Sequence, residues 1–375
     1  MLAKFKVSNF KSFNKEITLD FTKVNGYNFN KECIKNNLIN NSIVYGPNGV
    51  GKSNLGLAIF DIIINLTNGN TDEEQYYFYQ NAYNKTEVTP FYYEFIFEEN
   101  VVIYEYKKKE FNKFISERLI INGTEVVFFE RGKEQQAIIN LSGAETLKTK
   151  DLNDKISILK YILNNSLLTE ENKINKLYKL FMEFVSKMLF FRSLSESMFI
   201  GLEKREKKHT IVDIIENNNV PDFEQFLNLA GIDCRLSVIE VEEINERRLV
   251  MDFEGTLLPF EAIASQGTWA LTIFYYWLQQ LRVKDSISFL FIDEFDAFYH
   301  HKLSSYIVNK LKETNVQFIL TTHNTSIMNN SLLRPDCYFV MSKDCIRPLT
   351  ELTDKELREA HNLEKMYKGG SFNVE

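Results

Sequence analysis

The chain has 375 residues, of which 44% are hydrophobic and 25% charged, and its formal net charge is −7 at neutral pH. These values are typical of a globular protein, and the length predicts one large unit or two interlocked ones. The acidic balance excludes nucleic-acid binding by bulk charge attraction, and no run reaches the roughly 18 uncharged apolar residues that a membrane helix needs.

The first elements predicted in chain order are strands at residues 3–8, 16–21 and 42–45. The third strand runs into Gly46-Pro47-Asn48-Gly49-Val50-Gly51-Lys52-Ser53, which has the G-x-x-x-x-G-K-S spacing of a phosphate-binding loop. In such loops the backbone N–H groups point at phosphate oxygens, the lysine reaches the outer phosphates and the serine ligates Mg²⁺. A helix predicted over residues 54–64 aims its positive N-terminal end at the same anion. The sequence therefore predicts ATP and Mg²⁺, with the metal on Ser53 and the nucleotide on Asn48, Gly49, Val50, Gly51, Lys52, Ser53 and Asn54.

The middle of the chain changes from strand patterns to helical ones. Apolar residues alternate over residues 91–97, and strands at 101–106 and 125–129 follow turn signals. Between about residues 151 and 219 a helical apolar spacing takes over, at Ile174, Leu177, Leu180, Phe181, Phe184 and Met188. Strand patterns return at 236–241 and 249–253. We therefore divide the chain into an N-terminal lobe (1–145), a helical insertion (146–235) and a C-terminal lobe (236–375).

The final third alternates helices with almost wholly apolar strands. Helices are predicted over residues 268–281 and 301–313, and strands over 287–292, 317–320 and 337–341. Strands of this composition belong in a parallel sheet that is covered on both faces. The predicted fold class is α/β, with a mixed or parallel sheet behind the phosphate loop, an antiparallel β subdomain and a helical insertion.

Two acids, Asp293 and Glu294, stand at the end of one of these apolar strands. Ligands of α/β sheets bind beyond the carboxyl ends of the strands, so Asp293 is predicted to hold Mg²⁺ with Ser53, directly or through water. Glu294 is predicted to orient or deprotonate the attacking water. His323 ends the next strand and is predicted to contact the γ-phosphate. The alternatives are an ordinary strand end with surface acids and a structural histidine, and the phosphate loop argues against the first.

Ser265-Gln266-Gly267-Thr268 precedes a strongly apolar helix and is predicted to form its N-cap region. The hydroxyls and free backbone N–H groups there could bind an anion. The residues alone leave open whether that anion belongs to the same subunit.

Basic residues concentrate in two short runs, at 107–109 and 204–209. They are the candidates for a nucleic-acid patch, and a solvated face is the interpretation that we favour for both. The four cysteines, at positions 33, 234, 337 and 345, show no paired metal spacing and fit a reducing cytoplasm. The opening residues lack the apolar core of a signal peptide. The sequence thus predicts a cytoplasmic protein without a membrane partner.

Taken together, the order of these motifs resembles the ABC-type ATPase heads of the RecF, SMC and OLD lineage. It is more similar still to the compact AAA family ATPases of anti-phage systems, such as the PtuA and AriA ATPases. AAA+ machines would add an arginine finger, and GTPases would add an N-K-x-D motif. The segments that carry the resemblance are Asn9-Phe10-Lys11-Ser12-Phe13, the phosphate loop, Ser265-Gln266-Gly267-Thr268, Asp293-Glu294-Phe295-Asp296 with His300, Thr322-His323-Asn324, Arg334-Pro335-Asp336 and residues 367–372.

The resemblance implies a head-to-tail homodimer, or a higher even oligomer, that sandwiches two ATP molecules. Ser265 and Gly267 would then contact the γ-phosphate on the partner's loop, and Lys11 or Ser12 would contact nucleotide in cis. Asp296 would lie at the dimer seam. Gln80 is the candidate for the family's Q-loop glutamine, with an exposed loop residue as the alternative.

Three functions follow from this resemblance. The first is an Mg²⁺-dependent ATPase whose dimerisation and hydrolysis gate a separate effector, a nuclease or toxin, in anti-phage defence. The insertion lacks the long coiled coil of SMC proteins, which disfavours ring-type entrapment of DNA. We expect no appended nuclease domain, so a separate polypeptide would cut any nucleic acid, which would be contacted through the complex. The second is a weakly hydrolysing, ATP-bound scaffold that sequesters a toxic partner. The third is a RecF-like DNA repair ATPase, which the acidic balance disfavours.

Overall fold

The computed structural model of the chain describes residues 1–69, 73–133, 136–169, 171–192, 199–201, 207–241, 246–297 and 301–372. The strands within these residues are β1 Leu2–Val7, β2 Ile17–Asp20, β3 Ile34–Lys35, β4 Leu38–Ile39, β5 Asn41–Tyr45, β6 Thr89–Phe97, β7 Asn100–Glu110, β8 Lys113–Ile121, β9 Thr124–Glu130, β10 Ile138–Ile139, β11 Met188–Arg192, β12 Phe199–Ile200, β13 Leu236–Val241, β14 Glu246–Phe253, β15 Thr256–Pro259, β16 Phe289–Asp293, β17 Gln317–Thr322, β18 Tyr338–Met341 and β19 Ile346–Pro348.

The α-helices in the same part of the chain are α1 Lys52–Leu66, α2 Ile158–Asn165, α3 Lys173–Ser186, α4 Lys207–Glu216, α5 Val220–Leu229, α6 Phe260–Ile263, α7 Gln266–Arg282, α8 His301–Lys312 and α9 Leu363–Lys368. Among the described residues, no helix is long and apolar enough to cross a lipid bilayer.

The central sheet carries the phosphate loop and has the strand order β12-β11-β16-β17-β5-β18-β19. Its five inner strands run parallel, and the two edge strands β12 and β19 run antiparallel. Every residue of β5, β16, β17 and β18 is buried, as a parallel sheet covered on both faces requires. The prediction of a parallel sheet in an α/β fold is confirmed.

A second sheet is antiparallel and has the order β10-β9-β8-β7-β6-β1-β2. Strand β6, which lies between β7 and β1, alternates strictly between buried and half-buried residues, as the apolar pattern over 91–97 predicted. The sequence analysis did not identify β8, which pairs with both β7 and β9. The predicted antiparallel subdomain is confirmed, and it contains more strands than the pattern indicated.

Helix α1 lies between the two sheets and forms a shared middle layer. On one side the ring of Phe60 packs against Phe190 and Phe291 of the central sheet, with ring centroids 5.6 and 6.4 Å apart. On the other side Tyr93 of β6 donates a hydrogen bond to the carbonyl of Ala58 over 2.9 Å. The helix that begins at the phosphate loop is therefore fixed from both faces.

The predicted insertion contains helices α2 to α5 and also two strands of the central sheet, β11 and β12. Met188, which the helical spacing assigned to a helix, begins β11, because α3 ends at Ser186 and the chain then runs parallel to β16. Helical assignment of Met188 was wrong: the apolar run 188–191 fits a buried strand as well as a helix. The division at residues 145 and 235 stays a prediction.

A buried ion pair ties α1 to the antiparallel sheet. Lys108 and Asp61 have no exposed side-chain surface, and Lys108 Nζ lies 2.9 Å from Asp61 Oδ2. The hydroxyls of Tyr79 and Tyr106 donate to the same carboxylate, over 3.0 and 2.7 Å. Burial lowers the pKa of Lys108, and the charge of Asp61 opposes that shift. Asp61 therefore has donors on both of its carboxylate oxygens.

This pair changes the interpretation of the basic run 107–109, since Lys108 lies neither on a solvated face nor in a nucleic-acid patch. Its neighbour Lys109 is ion-paired with Glu87 at the surface. The second basic run, at 204–209, lies outside the residues whose side chains the structure describes.

Candidate nucleotide-binding site

The phosphate loop leaves the end of β5 and curls tightly into α1. Gly49 and Gly51 both have positive φ angles, 78° and 109°, which glycine adopts without a steric penalty. A Cβ atom on Gly51 would lie 2.5 Å from the Ser12 hydroxyl oxygen, so the loop needs glycine there for space as well. Within the described residues no side chain caps the start of α1. Its first N–H groups are thus suited to an anion.

Lys52 of this loop interacts electrostatically with the two acids at the end of β16. Its Nζ donates to the carbonyls of Gly46 and Pro47, over 2.7 and 3.1 Å. Burial lowers the pKa of Lys52, and the negative charges of Glu294 and Asp293 act to raise it. The ammonium group therefore lies in the curl of the loop, within electrostatic reach of both acids.

Asp293 ends β16 and is fully buried. Its two carboxylate oxygens are held by different strands: Thr321 Oγ1 donates to Oδ1 over 2.7 Å, and Arg192 Nε donates to Oδ2 over 2.8 Å. Strand β17 separates β16 from β5, so Asp293 lies at the same edge of the sheet as the phosphate loop. The structure brings this predicted metal ligand to the predicted edge.

The chain turns sharply after Asp293, and we call residues 293–296 the acidic turn. Glu294, the second acid, is half-buried and has φ 49°, a left-handed conformation that is uncommon outside glycine and asparagine. Its backbone N–H donates to Thr321 Oγ1 over 2.8 Å, and the N–H of Phe295 donates to the Thr321 carbonyl over 3.2 Å. Thr321 therefore fixes the backbone that carries the predicted base.

Thr322, the next residue of β17, fixes the end of the acidic turn in a similar way. Thr322 Oγ1 donates to Asp296 Oδ1 over 2.7 Å and accepts from the N–H of Asn324 over 2.9 Å. Asp296 is only 7% exposed, and burial raises the pKa of its carboxyl group. His323 lies between these bonded residues and is exposed at the end of β17. The role of Asp296 at a dimer seam stays a prediction, and in the protomer its carboxylate bonds to Thr322.

The segment predicted to bind an anion in trans forms the start of α7. Ser265 Oγ accepts from the N–H of Thr268 over 3.1 Å, so Ser265, within the predicted N-cap region, is the N-cap, and the helix begins two residues earlier than predicted. Ser265 is exposed, and a Cβ added to Gly267 would meet only the Ser265 hydroxyl, at 3.8 Å. Helix α7 packs against α4 and α5. Among the described residues, no hydrogen bond joins Ser265 to the phosphate loop of its own protomer.

Lys11 and Ser12, which were predicted to contact the nucleotide of their own protomer, lie in different surroundings. Ser12 Oγ accepts from the Asn54 side chain over 2.9 Å, beside Gly51. Lys11 instead donates through Nζ to the carbonyl of Tyr77 over 3.0 Å. Ser12 therefore lies against the loop, and Lys11 is directed to the segment after α1.

Two residues of the site escaped the sequence analysis, namely Arg192 and Thr321. Arg192 ends a short apolar run, which is a signal for a strand end that the helical interpretation obscured.

Gln80, the Q-loop candidate, donates to the carbonyl of Lys109 on the antiparallel sheet over 2.9 Å, as a loop glutamine would. His300 lies outside the described residues.

The donor set at the loop fits Mg²⁺. A serine hydroxyl and a carboxylate supply the hard oxygen atoms that this ion prefers. Among the described residues, no group of three or more histidine, cysteine or acidic side chains could hold a metal by itself. Mg²⁺ is commonly bound by one or two carboxylates together with substrate phosphates, which is the arrangement that Ser53 and Asp293 permit.

Comparison with sequence families assigns residues 42–329 to the family described as "AAA domain, putative AbiEii toxin, Type IV TA system". The chain belongs to this family. The matched range of this AAA domain includes the phosphate loop, Ser265, the acidic turn and His323, whereas Lys11 and Ser12 precede it. No curated protein sequence matches the chain.

Three solved structures are similar to this AAA domain. The SMC head bound to the C-winged helix domain of ScpA is 15% identical, with TM-score 0.46, over 93% of this chain and 98% of that one. The SMC head domain from Thermotoga maritima is 16% identical, with TM-score 0.42, over 92% and 98%. The Pyrococcus furiosus Smc head with an extended coiled coil, bound to the C-terminal domain of ScpA, is 13% identical, with TM-score 0.46, over 92% and 95%. The fold assignment rests on the strand order described above.

Proposed function

We propose that this AAA domain is an Mg²⁺-dependent ATPase that hydrolyses ATP to ADP and phosphate. The observation that carries the proposal is the convergence of Lys52 with Asp293 and Glu294 at one edge of the central sheet. A phosphate-binding lysine and two acids at the same edge of one sheet are what phosphoryl transfer to water needs, because positioning and charge stabilisation supply most of the catalysis.

Each residue of the site has a distinct part in this proposal. Backbone N–H groups of the loop and the Lys52 ammonium hold the phosphates. Asp293 and Ser53 hold Mg²⁺, which, when bound, neutralises phosphate charge. Glu294 accepts the proton of the attacking water, and His323 contacts the γ-phosphate from the end of β17.

The proposed site is completed by a second copy of the chain. Support comes from the start of α7, where Ser265 is exposed, Gly267 leaves open space, and no hydrogen bond reaches the loop of the same protomer in the described residues. Two copies packed head to tail would place each Ser265 and Gly267 at the other copy's γ-phosphate.

Mixing two inactive variants tests this composite site. Lys52→Ala removes the phosphate contact in cis, and Gly267→Glu adds bulk and negative charge where the partner's phosphate would lie. The Glu side chain has room, and a negative charge suits the first turn of a helix, so the variant should fold. Each variant alone should lack turnover. A 1:1 mixture should recover about a quarter of wild-type activity, because half of the symmetric dimers regain one intact site.

The matched control replaces Gly267→Glu in the mixture by the double variant Lys52→Ala/Gly267→Glu, which leaves no intact site in any dimer. That mixture should stay inactive. Recovery in the control mixture, or full activity of Gly267→Glu alone, would contradict a signature that acts in trans.

We further infer that the ATPase cycle gates a separate effector protein, a nuclease or toxin, in anti-phage defence. The resemblance to ATPases that act with a second protein supports this, and so does the TA system in the family's description. In a pull-down from the native host, an effector should be retained with ATP and lost with Lys52→Ala. Retention by a chain that barely hydrolyses ATP would favour the scaffold function instead, and salt-sensitive, ATP-dependent DNA binding would favour the repair function.

A further inference from the structure

Arg192 is bonded to the acid that the proposed function assigns to Mg²⁺. Strands β11 and β16 are paired in parallel register, and Arg192 stands opposite Asp293. Arg192 Nε lies 2.8 Å from Asp293 Oδ2, and the side chains are 22% and 0% exposed. The pair thus joins a partly solvated guanidinium group to a fully buried carboxylate.

The hydrogen bonds from Arg192 and Thr321 orient the carboxylate of Asp293. Thr321 occupies one position on Oδ1, and Arg192 occupies one on Oδ2. An ionised carboxylate has about four acceptor positions, and each of these two bonds uses one of them. A dication near Oδ2 would lie close to the guanidinium group, and charges of the same sign repel each other at such distances.

We propose that Arg192 is a positioning residue that orients Asp293 and, through its fixed positive charge, lowers the affinity of the protein for Mg²⁺. The metal then binds together with the phosphates of the nucleotide rather than to the protein alone. This inference rests on the proposed function, because it places Mg²⁺ and nucleotide at the phosphate loop.

A purely structural ion pair between β11 and β16 is the competing explanation. The two strands already share a continuous register from Met188 opposite Phe289 to Arg192 opposite Asp293. A structural role predicts that losing Arg192 weakens folding and metal binding together. The proposed role predicts that losing the charge strengthens metal binding, so the two explanations differ in the sign of the effect.

The test separates the charge of Arg192 from its hydrogen bond. Arg192→Gln removes the charge and keeps an amide donor for Asp293, whereas Arg192→Lys keeps the charge and loses the planar fork. Mn²⁺ serves as the probe, titrated by EPR with and without a saturating non-hydrolysable ATP analogue, so that no turnover is needed. The matched control is Arg118→Gln, which removes an arginine from an ion pair on the antiparallel sheet.

With the ATP analogue present, Arg192→Gln should bind Mn²⁺ about three- to tenfold more tightly than the wild type. Arg192→Lys should remain within about twofold of the wild type because the charge persists. Arg118→Gln should not change the affinity. Arg192→Met, which removes charge and donor together, repeats the charge test should Arg192→Gln fold poorly.

Weaker or unchanged Mn²⁺ binding in Arg192→Gln and Arg192→Met would overturn the proposal and favour the structural pair. Failure of the wild type to bind the ATP analogue would overturn the proposed function instead. The two failures are therefore distinguishable in one set of titrations.

Discussion

Replacing Glu294 with glutamine should lower the kcat of ATP hydrolysis by about 10²- to 10⁴-fold, the usual contribution of a positioned general base. Glutamine has nearly the same shape and keeps the backbone hydrogen bond to Thr321, but its amide cannot take a proton from water. ATP affinity should change little, because the loop and Lys52 hold the phosphates. Phosphate release measures kcat, and a fluorescent ATP analogue measures binding.

The same variant should accumulate as an ATP-bound dimer in size-exclusion chromatography, because the two protomers separate only after the ATP between them is hydrolysed. The matched control is Glu98→Gln, since Glu98 also has a positive φ, 55°, and is exposed at the turn between β6 and β7. Glu98→Gln should hydrolyse ATP at the wild-type rate. Wild-type turnover in Glu294→Gln itself would refute the assignment of the base.

Replacing Lys108 with methionine should lower the free energy of unfolding by about 3–5 kcal/mol, the usual cost of leaving one partner of a buried ion pair unpaired. Asp61 would keep its bonds from Tyr79 and Tyr106, but its charge would lie in the interior without a cation. Urea denaturation followed by circular dichroism measures the change.

The double variant Asp61→Asn/Lys108→Met should recover much of this loss, because it removes the uncompensated charge. Lys109→Met serves as the control, since the Lys109 pair with Glu87 is at the surface and should contribute little. A loss as large in Lys109→Met as in Lys108→Met, or no recovery in the double variant, would show that the buried pair is not the cause.

The local parts of the site were readable from sequence, because their chemistry depends on short spacings. The phosphate loop, the N-cap at Ser265 and the acids after an apolar strand each occupy a few consecutive residues. Arg192 and Thr321 were not readable, because each acts on an acid that is 101 or 28 residues away in the chain. Their partnership depends on which strands become neighbours, and that order is decided by packing of the whole sheet.

The incorrect interpretations of Met188 and Lys108 also have physical causes. Met188 continued a helical spacing by coincidence, and its strand is short and apolar up to its last residue, Arg192, so periodicity alone could not separate the two structures. The burial of Lys108, by contrast, could have been foreseen. Val102, Tyr104 and Tyr106 alternate inward on β7, and Lys108 is the next residue of that series. The three consecutive lysines were interpreted as a surface feature, although the alternation along β7 predicts that Lys108 points inward.

Thr321 and Thr322 give the site a mechanical property that neither residue would give alone. They are adjacent, so their side chains leave opposite faces of β17, and one hydroxyl holds the front of the acidic turn while the other holds its end. The backbone segments that carry Glu294 and His323 are therefore joined by these hydrogen bonds. If His323 contacts the γ-phosphate as proposed, a shift of the end of β17 when that phosphate leaves would carry Glu294 with it, and the two residues would share one conformational coordinate where two separate loops would have had two.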